Sequence, residues 1–219
     1  MMSQSSNLIL PDDYVNNNEV IVTRINKDMD SWNYTCPHYL FTGVCGSGKT
    51  WLVDIIFDNI RRELIESLEI SQKKERCFDF DNPEKMKGNA IMASYELRIQ
   101  SKIECITKYT AREMYQHYIA NNLQIPDITR IFCLDDVGAE KETPGSRDLI
   151  IDVITKLYDK FKLNKNLFVI ITTNLTGNQL VERYGNRIVD RIFEMCTVME
   201  FDKHSFRRDK IEVIKREVK

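Results

Sequence analysis

The fold of this 219-residue chain is decided by one stretch, GVCGSGKT at residues 43–50. The stretch fits the pattern G-x-x-x-x-G-K-[ST], in which a glycine-rich loop turns its backbone N–H groups towards phosphate oxygens. The apolar run Tyr39–Thr42 precedes it and predicts a buried strand. After it, Leu52, Ile56 and Ile60 fall on one face of a helix. Strand, loop and helix therefore follow one another in the order that the pattern requires.

The same stretch predicts a nucleotide site for ATP with Mg²⁺. A helix N-terminus adds a favourable dipole for anionic oxygens. Lys49 is expected to hold the β- and γ-phosphates, and Thr50 is expected to bind the Mg²⁺ ion. The residues predicted to bind the nucleotide are Gly43, Val44, Cys45, Gly46, Ser47, Gly48, Lys49, Thr50 and Trp51.

Apolar runs alternate with helical patterns along the rest of the chain. Further strands are predicted at 102–107, 131–134, 167–173 and 197–201. Helices are predicted at 49–64, 111–121, 149–161 and 178–194. This alternation is typical of an α/β fold, a parallel sheet covered by helices on both faces, and together with the glycine loop it predicts a P-loop NTPase.

Residues 39–219 are predicted to form one nucleotide-binding domain without a separate large lid domain. Residues 1–38 are rich in Asn, Ser and Asp, which predicts a partly ordered arm. Residues 66–90 are charged and contain Pro83 and Gly88, which favours an excursion over the surface.

Composition restricts the class of protein only broadly. The formal net charge of −2 neither requires nor excludes a nucleic-acid partner. The six cysteines are scattered singly, without the pairs typical of a zinc site. Neither a signal-peptide pattern nor an apolar run of membrane-spanning length is present in the sequence, so a cytoplasmic location is expected.

Two aspartates and an asparagine follow the predicted strands. Asp135, at the end of one strand, is expected to bind Mg²⁺, and Asp136 is expected to orient or polarise an attacking water. Asn174 follows the next strand and is predicted to sense the γ-phosphate or to position water at the same edge of the sheet. The alternatives are that the aspartates are turn or helix-capping residues and that the asparagine is a turn residue.

Arginines near the C-terminus are candidates for stabilising transition-state charge on a γ-phosphate. Arg187 and Arg191 lie four residues apart on one face of a predicted helix, and Arg207 and Arg208 follow the last strand. Lone arginines usually mark a solvated surface, and this reading stays open from the residues alone.

Taken together, four segments resemble the DnaC/DnaI helicase loaders and their IstB-type transposition relatives. They are the glycine loop, LDDVGAEKET at 134–143, the Thr172-Thr173-Asn174 turn and RIVDR at 187–191. The resemblance spans about residues 39–208, and the segment LDDVGAE is its most specific part.

The resemblance implies an AAA+ ATPase that assembles into an ATP-dependent oligomer, with the site at subunit interfaces and single-stranded DNA along an inner surface. It implies that Asn174 is the sensor 1 residue. It also implies that Arg191 acts as an arginine finger in trans, that Arg187 is its neighbour in the motif and that Arg207 is a second sensor. The partner implied is a hexameric replicative helicase.

Two departures from the family pattern bear on function. Asp136 stands where many AAA+ ATPases have glutamate, which predicts slow hydrolysis without a partner or DNA. Only about forty residues precede the glycine loop, fewer than the helicase-binding domain of the loaders. Alternative functions are a transposition helper ATPase, an accessory protein that binds ATP and DNA without useful hydrolysis, and a P-loop nucleotide or small-molecule kinase.

Overall fold

The computed structural model of the chain describes residues 8, 10–30, 37–78, 97, 104–140, 145–163, 167–201, 205 and 206. Its strands, numbered along the chain, are β1 His38–Thr42, β2 Ile106–Thr110, β3 Ile131–Val137, β4 Phe168–Thr173 and β5 Cys196–Glu200. Its helices are α1 Asp12–Asn17, α2 Glu19–Asp30, α3 Lys49–Phe78, α4 Ala111–Ala120, α5 Ser146–Lys162, α6 Gly177–Tyr184 and α7 Asn186–Met195. No helix in these described ranges is long and apolar enough to cross a membrane.

The strands form one sheet in the order β2-β3-β4-β1-β5, and all of their pairings are parallel. β1 therefore lies between β4 and β5, which come much later in the chain. Every residue of β4 is buried, as expected for a parallel strand covered on both faces. The predicted parallel α/β sheet is confirmed.

Helices pack on both faces of this sheet. Leu40 of β1 points to a core that contains side chains of α4, α5, α6 and α7. Its neighbours Tyr39 and Phe41 point to a second core that contains side chains of α1, α2 and α3. Because successive strand residues face opposite ways, these three positions assign the two helix layers.

Several elements differ from the sequence-based prediction. The helix after the glycine loop continues to Phe78, where the sequence indicated an end near Leu64 and a surface excursion over 66–90. Residues 66–78 of that excursion are helical, and 79–90 lie outside the described residues. β2 covers Ile106–Thr110, four residues later in the chain than the predicted start at 102.

The N-terminal arm contains two helices that its polar composition did not indicate. Ile21, Ile25 and Met29 of α2 are buried in the second core. They recur every four residues, so α2 presents an apolar stripe to the sheet. Tyr14 carries α1 onto the same core.

The last predicted helix is divided in two by Gly185. This residue has φ 84° and ψ 156°, a conformation open essentially to glycine alone. α6 ends immediately before it and α7 begins immediately after it. The break redirects the chain, so the prediction of one continuous helix over 178–194 is wrong.

Replacing Gly185 with alanine should therefore lower the free energy of unfolding by about 1–3 kcal/mol, the usual penalty for this backbone conformation. An added Cβ meets no atom within 4 Å, so the loss would come from the backbone and not from a clash. Gly177→Ala is the matched control, because its Cβ would make an ordinary 3.8 Å contact with Phe193. Urea unfolding of both variants measures the difference, and equal stabilities would contradict the interpretation.

His38, at the start of β1, should make stability depend on pH. Its Nδ1 accepts the Val169 backbone N–H at 3.3 Å, and burial lowers the pKa of His38 to about 4 from an ordinary value of 6.5. Between these values the unfolded chain binds a proton that the folded chain does not, so stability should fall as the pH drops from about 6.5 towards 4.

The expected contribution of His38 is a loss of about 2 kcal/mol between pH 7 and pH 5. Urea unfolding at both pH values measures it, with His38→Gln as the comparison. The glutamine variant should show a shallower dependence over this interval. The same slope in both proteins would rule out His38 as its source.

Candidate functional site

The glycine loop joins β1 to α3 and is tightly packed. Gly48 has φ 90°, and an added Cβ would lie 2.4 Å from Cε2 of Tyr14. Both the backbone conformation and the space therefore require glycine there. α3 begins at the next residue, Lys49, so the first helical N–H groups lie at the loop, as in phosphate-binding helix N-termini.

The Lys49 ammonium group is buried at the centre of the loop, with the residue only 5% exposed. Its Nζ donates to the carbonyl oxygens of Gly43 at 2.8 Å and Val44 at 2.9 Å. It also donates to Oδ1 of Asn174 at 2.8 Å. The lysine and the asparagine, predicted separately for one nucleotide site, are thus in direct contact.

A β-bulge in β3 presents the two aspartates. The register against β4 shifts between Leu134 and Val137, so β3 continues through both aspartates, past its predicted end. Asp136 has φ 56°, a left-handed conformation that costs a non-glycine residue about 1–2 kcal/mol. Its N–H donates to Thr172 Oγ1 at 2.9 Å. Bulges of this kind redirect side chains and recur beside active sites.

Asp135 is buried, with 1% exposure, and is surrounded by donors. Thr50 donates to its Oδ1 at 3.0 Å and Thr172 donates to the same oxygen at 2.5 Å. Lys108 of β2 lies 3.9 Å from Oδ2 and also pairs with Asp54 at 2.5 Å. The sequence assigned no role to Thr172, Lys108 or Asp54. Thr172 and Lys108 are identified only by their places beside Asp135, and Asp54 only by its pairing with Lys108.

The oxygen atoms of Thr50 and Asp135 are suitable ligands for Mg²⁺. This ion prefers oxygen ligands and is usually held by one or two side chains together with substrate phosphates and waters. Among the described residues, no group of three or more His, Cys, Asp or Glu is placed to hold a metal. An ion at Thr50 and Asp135 would therefore take its other ligands from phosphate and water.

Asp136 and Asn174 both line a small pocket. The Asn174 Nδ2 donates to Asp136 Oδ1 at 3.4 Å, at the long end of the hydrogen-bond range. The pocket has a volume of about 190 Å³. It is lined by Cys45, Gly46, Gly48, Lys49, Thr50, Trp51, Asp136 and Asn174. All eight were among the residues predicted for the site.

An aromatic cluster covers one side of the loop and was not predicted. The Tyr14 hydroxyl donates to the Gly48 carbonyl at 3.2 Å. Its ring packs edge-on against Trp51, with centroids 4.8 Å apart, and stacks on Phe206 at 5.5 Å. Phe206 in turn donates its backbone N–H to Gly46 at 3.1 Å. Residues from both ends of the chain thus hold the glycine loop.

Glu140 is a second residue beside the site to which the sequence assigned no role, although it belongs to the LDDVGAE segment. Its side chain is fully buried and binds Arg183 and Tyr184 of α6. Burial raises the pKa of the Glu140 carboxyl, whereas hydrogen bonds from Tyr184 and Arg183 lower it. The hydrogen bonds together outweigh burial, so the pKa lies below its ordinary value. The sequence motif signalled this residue without indicating its partners.

Of the candidate arginines, Arg187 and Arg191 lie in the described part of the chain, and neither lines the pocket. Arg191 donates to Thr155 Oγ1 of α5 at 2.7 Å, and its guanidinium lies 5.3 Å from the Tyr158 ring centroid. Arg187 is exposed on α7. Arg207 lies outside the described residues. Roles for these arginines in a neighbouring site stay predictions.

Thr172→Val should lower the free energy of unfolding by about 1–3 kcal/mol, because it leaves the buried Asp135 carboxylate and the Asp136 N–H without the hydroxyl. Thr172→Ser keeps the hydroxyl and should lose less. Urea unfolding compares the two variants. If the serine variant is as unstable as the valine variant, the hydroxyl does not support the bulge.

No protein-family model matches the chain, and no curated protein matches it. Among solved structures, the crystal structure of the DnaC helicase loader is similar at 19% sequence identity and a TM-score of 0.46. The match covers 88% of this chain and 100% of that chain.

Proposed function

We propose that this protein binds ATP with Mg²⁺ and hydrolyses it. The observation that carries the proposal is the contact between Lys49, Asn174 and Asp136 in one pocket, beside the pair Thr50 and Asp135. Five polar groups from the glycine loop, β3 and the end of β4 converge there. Cationic, amide and carboxylate groups in this arrangement match the needs of phosphoryl transfer to water.

Each side chain has a distinct part in the proposed reaction. The Lys49 ammonium binds β- and γ-phosphate oxygens, exchanging the loop carbonyls for stronger anionic acceptors. Thr50 and Asp135 would hold Mg²⁺, and the ion would neutralise charge that develops on the phosphates. Asp136 accepts a proton from the attacking water or orients it, and Asn174 fixes the γ-phosphate against Lys49.

We further propose that ATP turnover serves DNA replication, by loading or remodelling a hexameric helicase on single-stranded DNA in the cytoplasm. The support is the sequence resemblance carried by LDDVGAE, the Thr172-Thr173-Asn174 turn and RIVDR. In this proposal the chain forms an ATP-dependent homo-oligomer and Arg191 reaches a neighbour's nucleotide. Arg191 must then exchange its bond to Thr155 for a phosphate across the interface.

Two substitutions separate nucleotide binding from hydrolysis. Lys49→Ala should weaken ATP binding and abolish turnover, because the phosphate-binding cation is lost. Asp136→Asn should keep ATP binding and lower the turnover number by about 10²–10⁴-fold, the usual contribution of a general base. Phosphate release and calorimetric ATP titration measure the two quantities. Asp148→Asn, at an exposed aspartate of α5, is the control for the same chemical change.

Turnover unaffected by either substitution would contradict the assigned site. The partner is tested by capture on immobilised Asp136→Asn protein with ATP, followed by identification of what binds. Recovery of a hexameric helicase supports loading, whereas a transposase as the sole partner would replace it with a transposition role. A protein that stays monomeric with ATP analogues and turns over ATP only with a small-molecule acceptor would be a kinase.

A further inference from the structure

The loop that follows Asp136 is bound to α6 at Glu140, through its buried carboxylate and through its backbone carbonyl, which accepts Arg183 Nη2 at 3.3 Å. Glu140 Oε1 accepts Arg183 Nε at 2.8 Å and the Tyr184 hydroxyl at 2.5 Å. Its Oε2 accepts the Gly138 N–H at 2.8 Å. The same carboxylate therefore binds helix α6 on one side and its own loop on the other.

Gly138 belongs to a tight turn whose first residue is Asp136. The Ala139 N–H donates to the Asp136 carbonyl at 3.0 Å, which closes the turn. Gly138 has φ 98°, and an added Cβ would lie 2.4 Å from Leu175 Cδ1. The turn therefore packs against Leu175, the residue that follows Asn174. Glu140 binds the turn at the Gly138 N–H.

The end of β4 is attached to the same turn. Thr173 Oγ1 donates to the Val137 carbonyl at 2.6 Å and accepts the Leu175 N–H at 3.1 Å. Asn174 lies between these two residues. Asp136 and Asn174 are thus held on adjoining turns that share hydrogen bonds. The Glu140 carboxylate binds the first of these turns at the Gly138 N–H.

We propose that Glu140 is a positioning residue for hydrolysis, which acts through the Asp136 turn and is itself anchored by Arg183 and Tyr184. This inference rests on the proposed ATPase function and deepens it. Asp136 occupies a left-handed conformation that persists only while its surroundings enforce it. Without the Glu140 carboxylate, Gly138 loses its acceptor, and the turn can relax and carry the Asp136 carboxylate away from the pocket.

Glu140 should affect turnover rather than nucleotide affinity. The groups assigned to phosphate and Mg²⁺ binding belong mainly to the glycine loop and the start of α3. Glu140 and its partners lie in the connection after β3 and in α6. An altered position of Asp136 would therefore slow the chemical step while Lys49 and Thr50 keep their places.

The test compares variants of the full chain that remove parts of this network. Glu140→Gln keeps the size of the side chain but replaces one of the two carboxylate oxygens with an NH₂ group. That NH₂ group then faces a hydrogen-bond donor and cannot accept from it. Arg183→Met removes the charged donor, and Arg183→Lys restores a cation. Leu157→Ala, at a fully buried residue of α5, is the control for lost stability without a change in the network.

Glu140→Gln should lower the turnover number for ATP at least tenfold and change the dissociation constant for ATP by less than about twofold, a pattern that marks loss of an interaction made in the transition state. Arg183→Met should behave similarly, and Arg183→Lys should recover part of the rate. The effects of Glu140→Gln and Arg183→Met should add only in part in the double variant, because both substitutions remove the contact between Arg183 and the Glu140 carboxylate.

Amide hydrogen exchange supplies a readout that does not require hydrolysis. The Asp136 and Ala139 amides should exchange at least tenfold faster in Glu140→Gln than in Leu157→Ala, while the α3 amides exchange alike in the two variants. Unchanged exchange at Asp136 and Ala139 would overturn the proposal. A loss of ATP affinity as large as the loss of turnover, in both Glu140→Gln and Arg183→Met, would also overturn it. If the unmodified protein hydrolyses no ATP, the proposed function fails, and amide exchange still decides whether Glu140 holds the Asp136 turn.

Discussion

The hydrogen bond between Lys49 and Asn174 joins two positions 125 residues apart in the chain, and the candidate site depends on it. It forms because β1 and β4 are parallel neighbours, with Thr42 paired to Thr173. Both strands consequently end at the same edge of the sheet, and the segments that leave them are brought side by side. The next strand across, β3, adds its aspartates at that edge. Parallel pairing thus turns three separate sequence segments into one pocket.

The part of this arrangement that the sequence predicts is the part specified locally. Residues 43–50 identify the loop, and the apolar run before Thr42 identifies the strand that positions it. The parallel sheet follows from alternating strands and helices, and it places Asn174 near the glycine loop before any coordinates are known. Each of these inferences uses residues close together in sequence, where hydrophobic period and turn chemistry are informative.

The remaining features depend on contacts between distant residues. The bulge at Asp136 needs the Thr172 hydroxyl on the adjacent strand, and Glu140 needs Arg183 and Tyr184 from α6. No local sequence pattern in β3 predicts these pairings. α2 is a different case, since its four-residue apolar spacing is visible in the sequence but is obscured by surrounding Asn and Asp residues. At Gly185, helical periodicity continues across a position whose backbone angles interrupt the helix.

The place of β1 in the sheet has a consequence for how the chain acquires its structure. Among the strands that the structure describes, β1 comes first along the chain, yet its two neighbours are β4 and β5, which come last. Its backbone N–H and C=O groups therefore lack these partners until residues 168–200 have been synthesised. Sheets closed by such distant pairings fold slowly and expose strand edges meanwhile. The strand that carries the glycine loop is thus also exposed to mispairing while these two partners are still missing.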